Sequence, residues 1–272
     1  MAENYQTLVV NKTGANQAYT SIQAAINVAN DGDTIIIAPG TYEEHLIIQK
    51  DIRILGQNRY KCIIQANIDD YNHPVIDMTA GEIGNMQVYG YSNGEIGAKG
   101  RAYCLHVDNV LCYQSSVYVH DIDFTNSAMQ TIGIGMWPDF FLKFERCNFI
   151  CQTNLAAFYC HSNFNSNPMT YWGGQNLYVY DCSFANNTTT DSTAESVIRM
   201  ESYGLCNTAN GQMAICEWAD NKIIPNPYCN PVKMIEHNTW YSNNTNWLNS
   251  NDWVLSPMSM GNNTNALNKW NV

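Results

Sequence analysis

Positive charge is scarce in this sequence. Its 272 residues include 13 lysines and arginines against 24 aspartates and glutamates, which gives a formal net charge of −11. No run of basic residues is present. Because nucleic-acid binding depends on cationic contacts with phosphate, we expect no nucleic-acid partner.

Long apolar runs and metal-binding motifs are missing too. The first ten residues, MAENYQTLVV, have no basic region and no long apolar stretch, and no later segment is long enough to cross a bilayer. The 10 cysteines form no CxxC pair and show no metal-ligand spacing. We expect synthesis in a cytoplasm without a signal peptide, no membrane insertion, no metal or cofactor, and mostly free thiols.

One short phrase occurs three times. It reads VYVHDIDFTN at Val117–Asn126, LKFERCNFIC at Leu142–Cys151 and LYVYDCSFAN at Leu177–Asn186, with apolar residues matched at four positions. Looser copies begin at Met213 and Val232, and the first four copies start 25, 35 and 36 residues apart. A fixed phrase with an irregular period is typical of a solenoid that carries insertions on one edge.

The alternation inside the phrase indicates the kind of solenoid. Apolar residues at every second position, with a shift in the middle, predict two short strands and a bend. Such strands stacked coil upon coil form a parallel β-helix, in which equivalent side chains lie about 4.8 Å apart. Cys147 and Cys182 then fall at an inward position, and pairs such as Asn186 and Asn187 suit turns. An all-β sandwich is the alternative, but it does not need the same residue class at each repeat.

A helix is predicted ahead of the coils. The segment Ala18–Asn30 has apolar residues at helical spacing from Ile22 to Ala29, and Thr20 or Ser21 is placed to cap its first turn. A helix of this kind would cover the hydrophobic end of the solenoid.

The run Tyr19–Asn58 carries a family resemblance. After the helix come the strand TIIIA, the turn PGTY and a strand that ends in LGQN. This run resembles the opening of pectin methylesterases and of the wider pectate-lyase-like superfamily. The resemblance implies a right-handed parallel β-helix. It implies no particular activity, because the same opening occurs on esterases, lyases, hydrolases and non-enzymatic phage proteins.

We therefore predict one all-β domain over residues 1–272, a right-handed parallel β-helix with an N-terminal capping α-helix. Residues 1–33 would form the cap and residues 34–246 the coils. Residues 247–272 would form a C-terminal cap or an interface segment.

A row of charged residues is the candidate catalytic set. Stacking of the copies places Asp121, Arg146 and Asp181 at one equivalent position, and the fourth copy would add Glu217. Gln152 joins them because CNFICQTNLAAFY resembles the QDT segment of pectin methylesterases, although that family's acid and its GRPW segment are absent. Paired carboxylates suit general acid and base catalysis. Alternating charges also avoid like-charge stacking on a solvated face.

Aromatic residues in the insertions form the candidate carbohydrate-binding set. Trp137, His161, Tyr171 and Trp172 all lie between copies of the phrase, where loops of neighbouring coils gather. Trp137 and Trp172 precede consecutive copies, so we expect them to lie near each other.

The resemblance also frames the functional hypotheses. Phage tailspike-like β-helices resemble this chain in size, so we expect a phage or prophage virion component that binds surface polysaccharide without catalysis. Its partners would be two further copies in a homotrimer, or other virion proteins. The first alternative is a carbohydrate-active enzyme, namely a pectinesterase-like esterase, a polysaccharide lyase or a glycoside hydrolase. A decoration protein without a ligand is the second.

Overall fold

The structure is a computed structural model. It describes residues 5–68, 73–92, 101–137, 140–162, 176–189, 196–202, 206–207, 212–213, 215–236 and 239–241. The predictions for Tyr171, Trp172 and residues 247–272 concern parts of the chain outside these residues.

Short strands dominate the described chain. The first twelve are β1 (Thr7–Val10), β2 (Thr34–Ile37), β3 (Gly40–Glu43), β4 (Leu46–Ile48), β5 (Arg53–Gly56), β6 (Cys62–Asn67), β7 (Ile76–Met78), β8 (Gly81–Tyr91), β9 (Leu105–Val107), β10 (Ser116–Asn126), β11 (Ile132–Met136) and β12 (Phe141–Glu145). The remainder are β13 (Asn148–Cys151), β14 (Phe158–Ser162), β15 (Asn176–Tyr180), β16 (Ser183–Asn186), β17 (Ser196–Ser202), β18 (Cys206–Asn207), β19 (Gln212–Met213), β20 (Ile215–Ala219), β21 (Lys222–Ile223), β22 (Asn230–Glu236) and β23 (Thr239–Tyr241). One α-helix, α1 (Ile22–Val28), and two 3-10 turns, Ala15–Gln17 and Val110–Cys112, complete the described elements.

The strands form three parallel ladders. The first ladder runs through β1, β2, β5, the first half of β8, the first half of β10, β12, β15 and β20. The second ladder runs through β3, β6, the second halves of β8 and β10, β13, β16 and β21. The third ladder is the sheet β4, β7, β9, β11, β14, β17, β22, closed by the antiparallel strand β23. Each coil takes one strand from each ladder, so the predicted right-handed parallel β-helix is confirmed.

The repeated phrase is one coil's first-ladder strand, bend and second-ladder strand. Val117 pairs with Leu142, and Leu142 pairs with Leu177, as the aligned copies predict. Asp121, Arg146 and Asp181 occupy the bend with φ of 54°, 52° and 49°. This left-handed conformation turns the chain between the two strands, and aspartate tolerates it better than most residues.

The predicted register of the fourth copy is wrong by three residues. Leu177 pairs with Cys216 and not with Met213, because Met213 belongs to a small hairpin formed by β18 and β19. The residue equivalent to Asp181 is therefore Asp220, with φ of 59°, and not Glu217.

The predicted fifth copy is also wrong. The strand that contains Val232 pairs with β17 in the third ladder, with Ile198 opposite Val232. Its alternation resembles the phrase because every inward-facing strand of a β-helix alternates in the same way.

Phenylalanine rings fill the core beneath the phrase. Phe124 and Phe149 stack at 5.4 Å between ring centroids, and Phe149 and Phe184 at 5.1 Å, with nearly parallel planes. Phe144 and Phe158 meet Phe149 edge to face at 5.5 and 5.6 Å. All five rings are fully buried. Like side chains therefore stack on like, as expected for a β-helix.

The cysteines of the described core are free thiols. The Sγ atom of Cys182 accepts a hydrogen bond from the backbone of Cys147 on the preceding coil, and both side chains are buried. Cys104 and Cys112 are buried too, and burial raises the pKa of the Cys112 thiol to about 12. Such thiols behave as small apolar side chains.

Helix α1 lies beside β4, the first strand of the third ladder. Ser21 caps its first turn by accepting a hydrogen bond from Ala24, one of the two caps predicted. The side-chain oxygen of Gln23 accepts from the Ile47 backbone at 2.8 Å, so the helix supplies a hydrogen-bond partner to the exposed edge of β4. Ile22 and Ile26 on the inner face are buried against the core.

The described part of the chain contains no helix with the length and hydrophobicity of a membrane span.

Candidate functional site

The outer side of the third ladder carries an unusual column of side chains. Register places Asp77, His106, Gly133, Tyr159 and Arg199 on five consecutive coils at equivalent positions. Residues at alternate positions of a strand point to opposite faces, and the neighbours of these residues lie in the core. The column therefore lies on the exterior.

The first two members are within hydrogen-bond distance of each other. The His106 Nδ1 atom lies 3.0 Å from Asp77 Oδ1, which orients the imidazole. The ring of Tyr103 stacks on His106 with centroids 5.6 Å apart and planes 8° apart. Tyr103 occupies the space above Gly133, where a Cβ atom would approach its ring to 2.6 Å. Glycine at this position therefore allows the aromatic ring to lie across the strand.

A second column begins two residues further along the strands. His161 pairs in register with Gly135, and Asp108 occupies the equivalent position on the coil that precedes Gly135. Since Gly135 has no side chain, the His161 Nε2 atom reaches across it to Asp108 Oδ2 at 3.0 Å. Trp137 Nε1 donates to the other oxygen of the same carboxylate at 3.3 Å. One carboxylate thus holds an imidazole and an indole from two different coils.

Aromatic contacts join the two columns. The rings of Tyr159 and His161 lie 5.5 Å apart, and the Arg199 guanidinium carbon lies 5.5 Å from the centroid of the Tyr159 ring. Tyr159, His161 and Arg199 are partly exposed. We call this surface the third-ladder face; its members are Asp77, Tyr103, His106, Asp108, Trp137, Tyr159, His161 and Arg199. Rings and paired polar groups on a flat strand surface suit an extended ligand with hydroxyl groups.

Two of the four predicted carbohydrate-binding residues meet on this face. Trp137 and His161 share the carboxylate of Asp108, whereas Tyr171 and Trp172 fall outside the described residues. Sequence reasoning missed Asp108 and Tyr159. The alternation of Tyr159 and His161 in FYCHS was a usable signal, since both would face outward from one strand.

The candidate catalytic row lies elsewhere, at the bends between the first and second ladders. Arg146 donates from Nε and Nη2 to the two oxygens of Asp121, both at 2.8 Å. Asp181 follows one coil later and is exposed. Gln152 directly follows β13, at the opposite end of that strand from Arg146. Its backbone N–H donates to the Asn126 carbonyl. The structure therefore brings together three of the four residues and separates Gln152 from them.

Electrostatics at the row favour ionised carboxylates. The hydrogen bonds from Arg146 lower the pKa of Asp121 to about 2, although burial raises it and His120 contributes further lowering. The Tyr118 hydroxyl lowers the pKa of Glu145 in the same network. A general acid needs a proton near neutral pH, so these two carboxyl groups are poorly suited to that role. The ion pair between Arg146 and Asp121 accounts for this part of the row as charge compensation on the outer surface.

Metal binding has no support in the part of the chain that the structure describes, where no cluster of three histidine, cysteine or acidic side chains is placed to hold an ion. The absence of a cofactor stays a prediction.

The fold and the third-ladder face together define a parallel β-helix protein with an aromatic and charged strand surface. No family model matches the chain, and no curated protein matches it. Among solved structures, the chain is similar to a deglycosylated pectin methylesterase from Aspergillus niger, with a TM-score of 0.52 and 13% identity, over 87% of this chain and 77% of that chain. It is also similar to a pectin methylesterase from Erwinia chrysanthemi, with a TM-score of 0.44 and 12% identity, over 89% of this chain and 92% of that chain. Identities this low show a shared fold alone.

Proposed function

We propose that this protein binds polysaccharide along the third-ladder face and does not cleave it. The observation that carries the proposal is the convergence of Trp137 and His161, from separate coils, on the carboxylate of Asp108. These contacts hold both rings in place before any ligand arrives. A preorganised surface loses little conformational entropy on binding.

The chemistry of the face supports a sugar ligand. Tyr159 and Trp137 offer partly exposed ring surfaces, which pack against the apolar faces of sugar rings. Asp77, Asp108 and Arg199 offer charged hydrogen-bonding groups for hydroxyls. The outward columns run over successive coils about 4.8 Å apart, so the face is long enough to contact several units of a chain.

The binding test uses retardation of the purified protein in gels that contain one of a panel of acidic and neutral polysaccharides. Trp137→Ala and Tyr159→Ala should each weaken retention on the bound polysaccharide at least tenfold. Tyr228→Ala, which removes an exposed ring outside the face, should not change it. Equal retention of all four proteins, or retention of none, would refute the proposal.

An enzymatic alternative has one observation in its favour, the Asp77 and His106 pair at 3.0 Å. A carboxylate that orients an imidazole is an arrangement used for general base catalysis. The same incubations therefore measure released methanol and reducing ends. Release by the wild type that disappears in Asp77→Asn would make the protein a carbohydrate-active enzyme. Release that depends on Asp121 and Asp181 would place the active site at the bends between the first and second ladders.

The biological setting is proposed from the family resemblance. In this proposal three copies form a virion-associated homotrimer of a phage or prophage and display the third-ladder face to surface glycans. A solution mass of one chain would refute the homotrimer.

A further inference from the structure

A concave surface lies on a different side of the coils, on the outer face of the first ladder. It is a groove of about 580 Å³ that crosses the first six strands of the first ladder, from β1 to β12. Tyr5 stands at one end, and Tyr118 and Phe141 stand at the other, with Arg53 and Glu82 between them. Since neighbouring strands of the ladder are about 4.8 Å apart, the five spacings make the groove about 24 Å long.

Two of the residues that line the groove are glycines. Gly32 and Gly81 have φ of +87° and +93°, a region that residues with a side chain rarely adopt. A Cβ atom on Gly32 would lie 2.1 Å from the Tyr5 ring, so the ring rests directly on the backbone there. A Cβ atom on Gly81 would lie 2.4 Å from the Ile52 carbonyl oxygen. Both positions therefore need glycine.

The aromatic walls are exposed and held in place. Tyr5 is 58% exposed and Phe141 is 37% exposed, although both are large rings. Phe141 packs on Tyr178 of the next coil, with ring centroids 5.0 Å apart. Tyr118 donates its hydroxyl hydrogen to Glu145. Rings that are fixed on one side and exposed on the other are suited to stacking on a ligand.

The charges in the groove discriminate between ligands. Arg53 donates to both oxygens of Glu82, at 2.8 and 3.2 Å, and the two charges compensate each other. Burial raises the pKa of Glu82, but hydrogen bonds from Arg53 and His120 outweigh it and keep the carboxyl ionised. The exposed carboxylate of Asp51 adds a further negative charge to the lining. The lining therefore disfavours an anionic ligand such as a uronic acid.

We propose that this groove binds a short neutral oligosaccharide, with sugar rings stacked on Tyr5 and Phe141 and hydroxyl groups bonded to Arg53 and Glu82. This site shares no residue with the third-ladder face. The proposal can therefore be tested independently of the function proposed above.

The experiment is isothermal titration of the intact protein with maltohexaose, cellohexaose, chitohexaose and hexagalacturonate. We expect one of the neutral hexasaccharides to bind, and hexagalacturonate to bind at least tenfold more weakly. Tyr5→Ala and Phe141→Ala should each raise the dissociation constant at least tenfold. Tyr60→Ala, which removes a ring that is 71% exposed and lies outside the groove, should leave it unchanged.

Three results would overturn the proposal. The first is no heat of binding with any of the neutral hexasaccharides, and the second is equal affinity for hexagalacturonate. The third is a loss of affinity in Trp137→Ala but not in Tyr5→Ala or Phe141→Ala, which would place the binding on the third-ladder face. Thermal melts of both groove variants establish that they fold. Should Phe141→Ala not fold, Tyr5→Ala decides the question, because Tyr5 is mostly exposed.

Discussion

Asn126 shows how a single side chain closes a corner of the β-helix. It is fully buried, and its amide nitrogen donates to the carbonyls of Ala102 and Gln130 at 2.9 and 2.8 Å. Its oxygen accepts from the backbones of Ala128 and Met129 at 2.7 and 3.1 Å. An asparagine can satisfy several backbone groups that a turn leaves unpaired.

Replacing this residue should be costly. Asn126→Ala leaves four buried or partly buried backbone groups without their partner, and each buried group costs about 1 to 3 kcal/mol unless it finds another. We expect a loss of about 3 kcal/mol in the free energy of unfolding, measured by urea denaturation. Asn187→Ala is the matched control, because Asn187 is exposed. A loss in Asn126→Ala no larger than in the control would contradict this account.

Asp121 should make stability depend on acidity. Its folded pKa of about 2 lies below its unfolded value of about 3.9, so its stabilisation is complete above about pH 4 and is lost as the pH falls through about 2. The carboxylate is partly exposed, so we expect Asp121→Asn to cost on the order of 1 kcal/mol at neutral pH. The difference from wild type should shrink between about pH 4 and pH 2 in urea unfolding curves.

The control for this prediction is Asp181→Asn, which makes the same change in the same left-handed conformation. It should show a smaller difference at neutral pH. Equal, pH-independent costs for both variants would show that Arg146 does not stabilise the bend through Asp121.

At the scale of elements, α1 depends on contacts that come from outside the helix. It has only seven residues, and isolated helices of this length are unstable in water. Glu44 accepts hydrogen bonds from the backbones of Ile22 and Gln23, both at 3.0 Å. Lys50 donates to three carbonyls at the other end, including that of Ala29 at 2.6 Å. Opposite charges at the two ends match the helix dipole.

Removing the carboxylate should loosen the helix. Glu44→Ala should cost about 2 kcal/mol, since hydrogen bonds to charged groups contribute about 1.5 to 3 kcal/mol each and water replaces part of them. Hydrogen exchange of the Ile22 and Gln23 amides should accelerate more than exchange elsewhere. Glu43→Ala removes a neighbouring charge that does not contact the helix, so exchange in α1 should stay at the wild-type rate. Equal acceleration in both variants would contradict the role of Glu44.

At the scale of the whole molecule, stacking between coils holds the solenoid together. Each coil contacts chiefly its neighbours, so stability comes from interfaces repeated along one axis. Phe149 lies at the centre of the aromatic column and contacts rings on both adjacent coils. Its substitution therefore tests the interface of three coils at once.

Phe149→Ala should lower the free energy of unfolding by about 4 kcal/mol, because large-to-small changes of a buried phenylalanine cost about 3 to 5 kcal/mol. Phe149→Leu keeps most of the apolar volume and should cost clearly less. Urea unfolding measures both. Equal costs for the two variants would contradict this account, because they would show that retained apolar volume does not replace the stacking of the ring.

A homotrimer is predicted from the family resemblance, and light scattering would test it. A homotrimer would have about three times the chain mass of 30.7 kDa. A mass of one chain at micromolar concentration would remove the trimer but leave both proposed binding surfaces intact.

The sequence by itself determined the fold and much of the core. Stacked copies of one phrase require like residues at like positions, so the column through Phe149 and the thiol pair Cys147 and Cys182 were predictable. The bend at Asp121 and Asp181 was visible as a shift in the alternation. Ser21 was predictable as a cap because its hydroxyl precedes an apolar helical pattern.

Only the tertiary structure decided which coils meet and which side chains touch. The hairpin before β20 shifts the true start of the fourth copy by three residues from the predicted one, because the length of an insertion cannot be read from the repeated phrase. The residue in the row is therefore Asp220 and not Glu217. Asp108 and His161 are far apart in sequence and meet because Gly135 leaves a gap between them. Such contacts depend on stacking across insertions of unequal length, which local patterns do not specify.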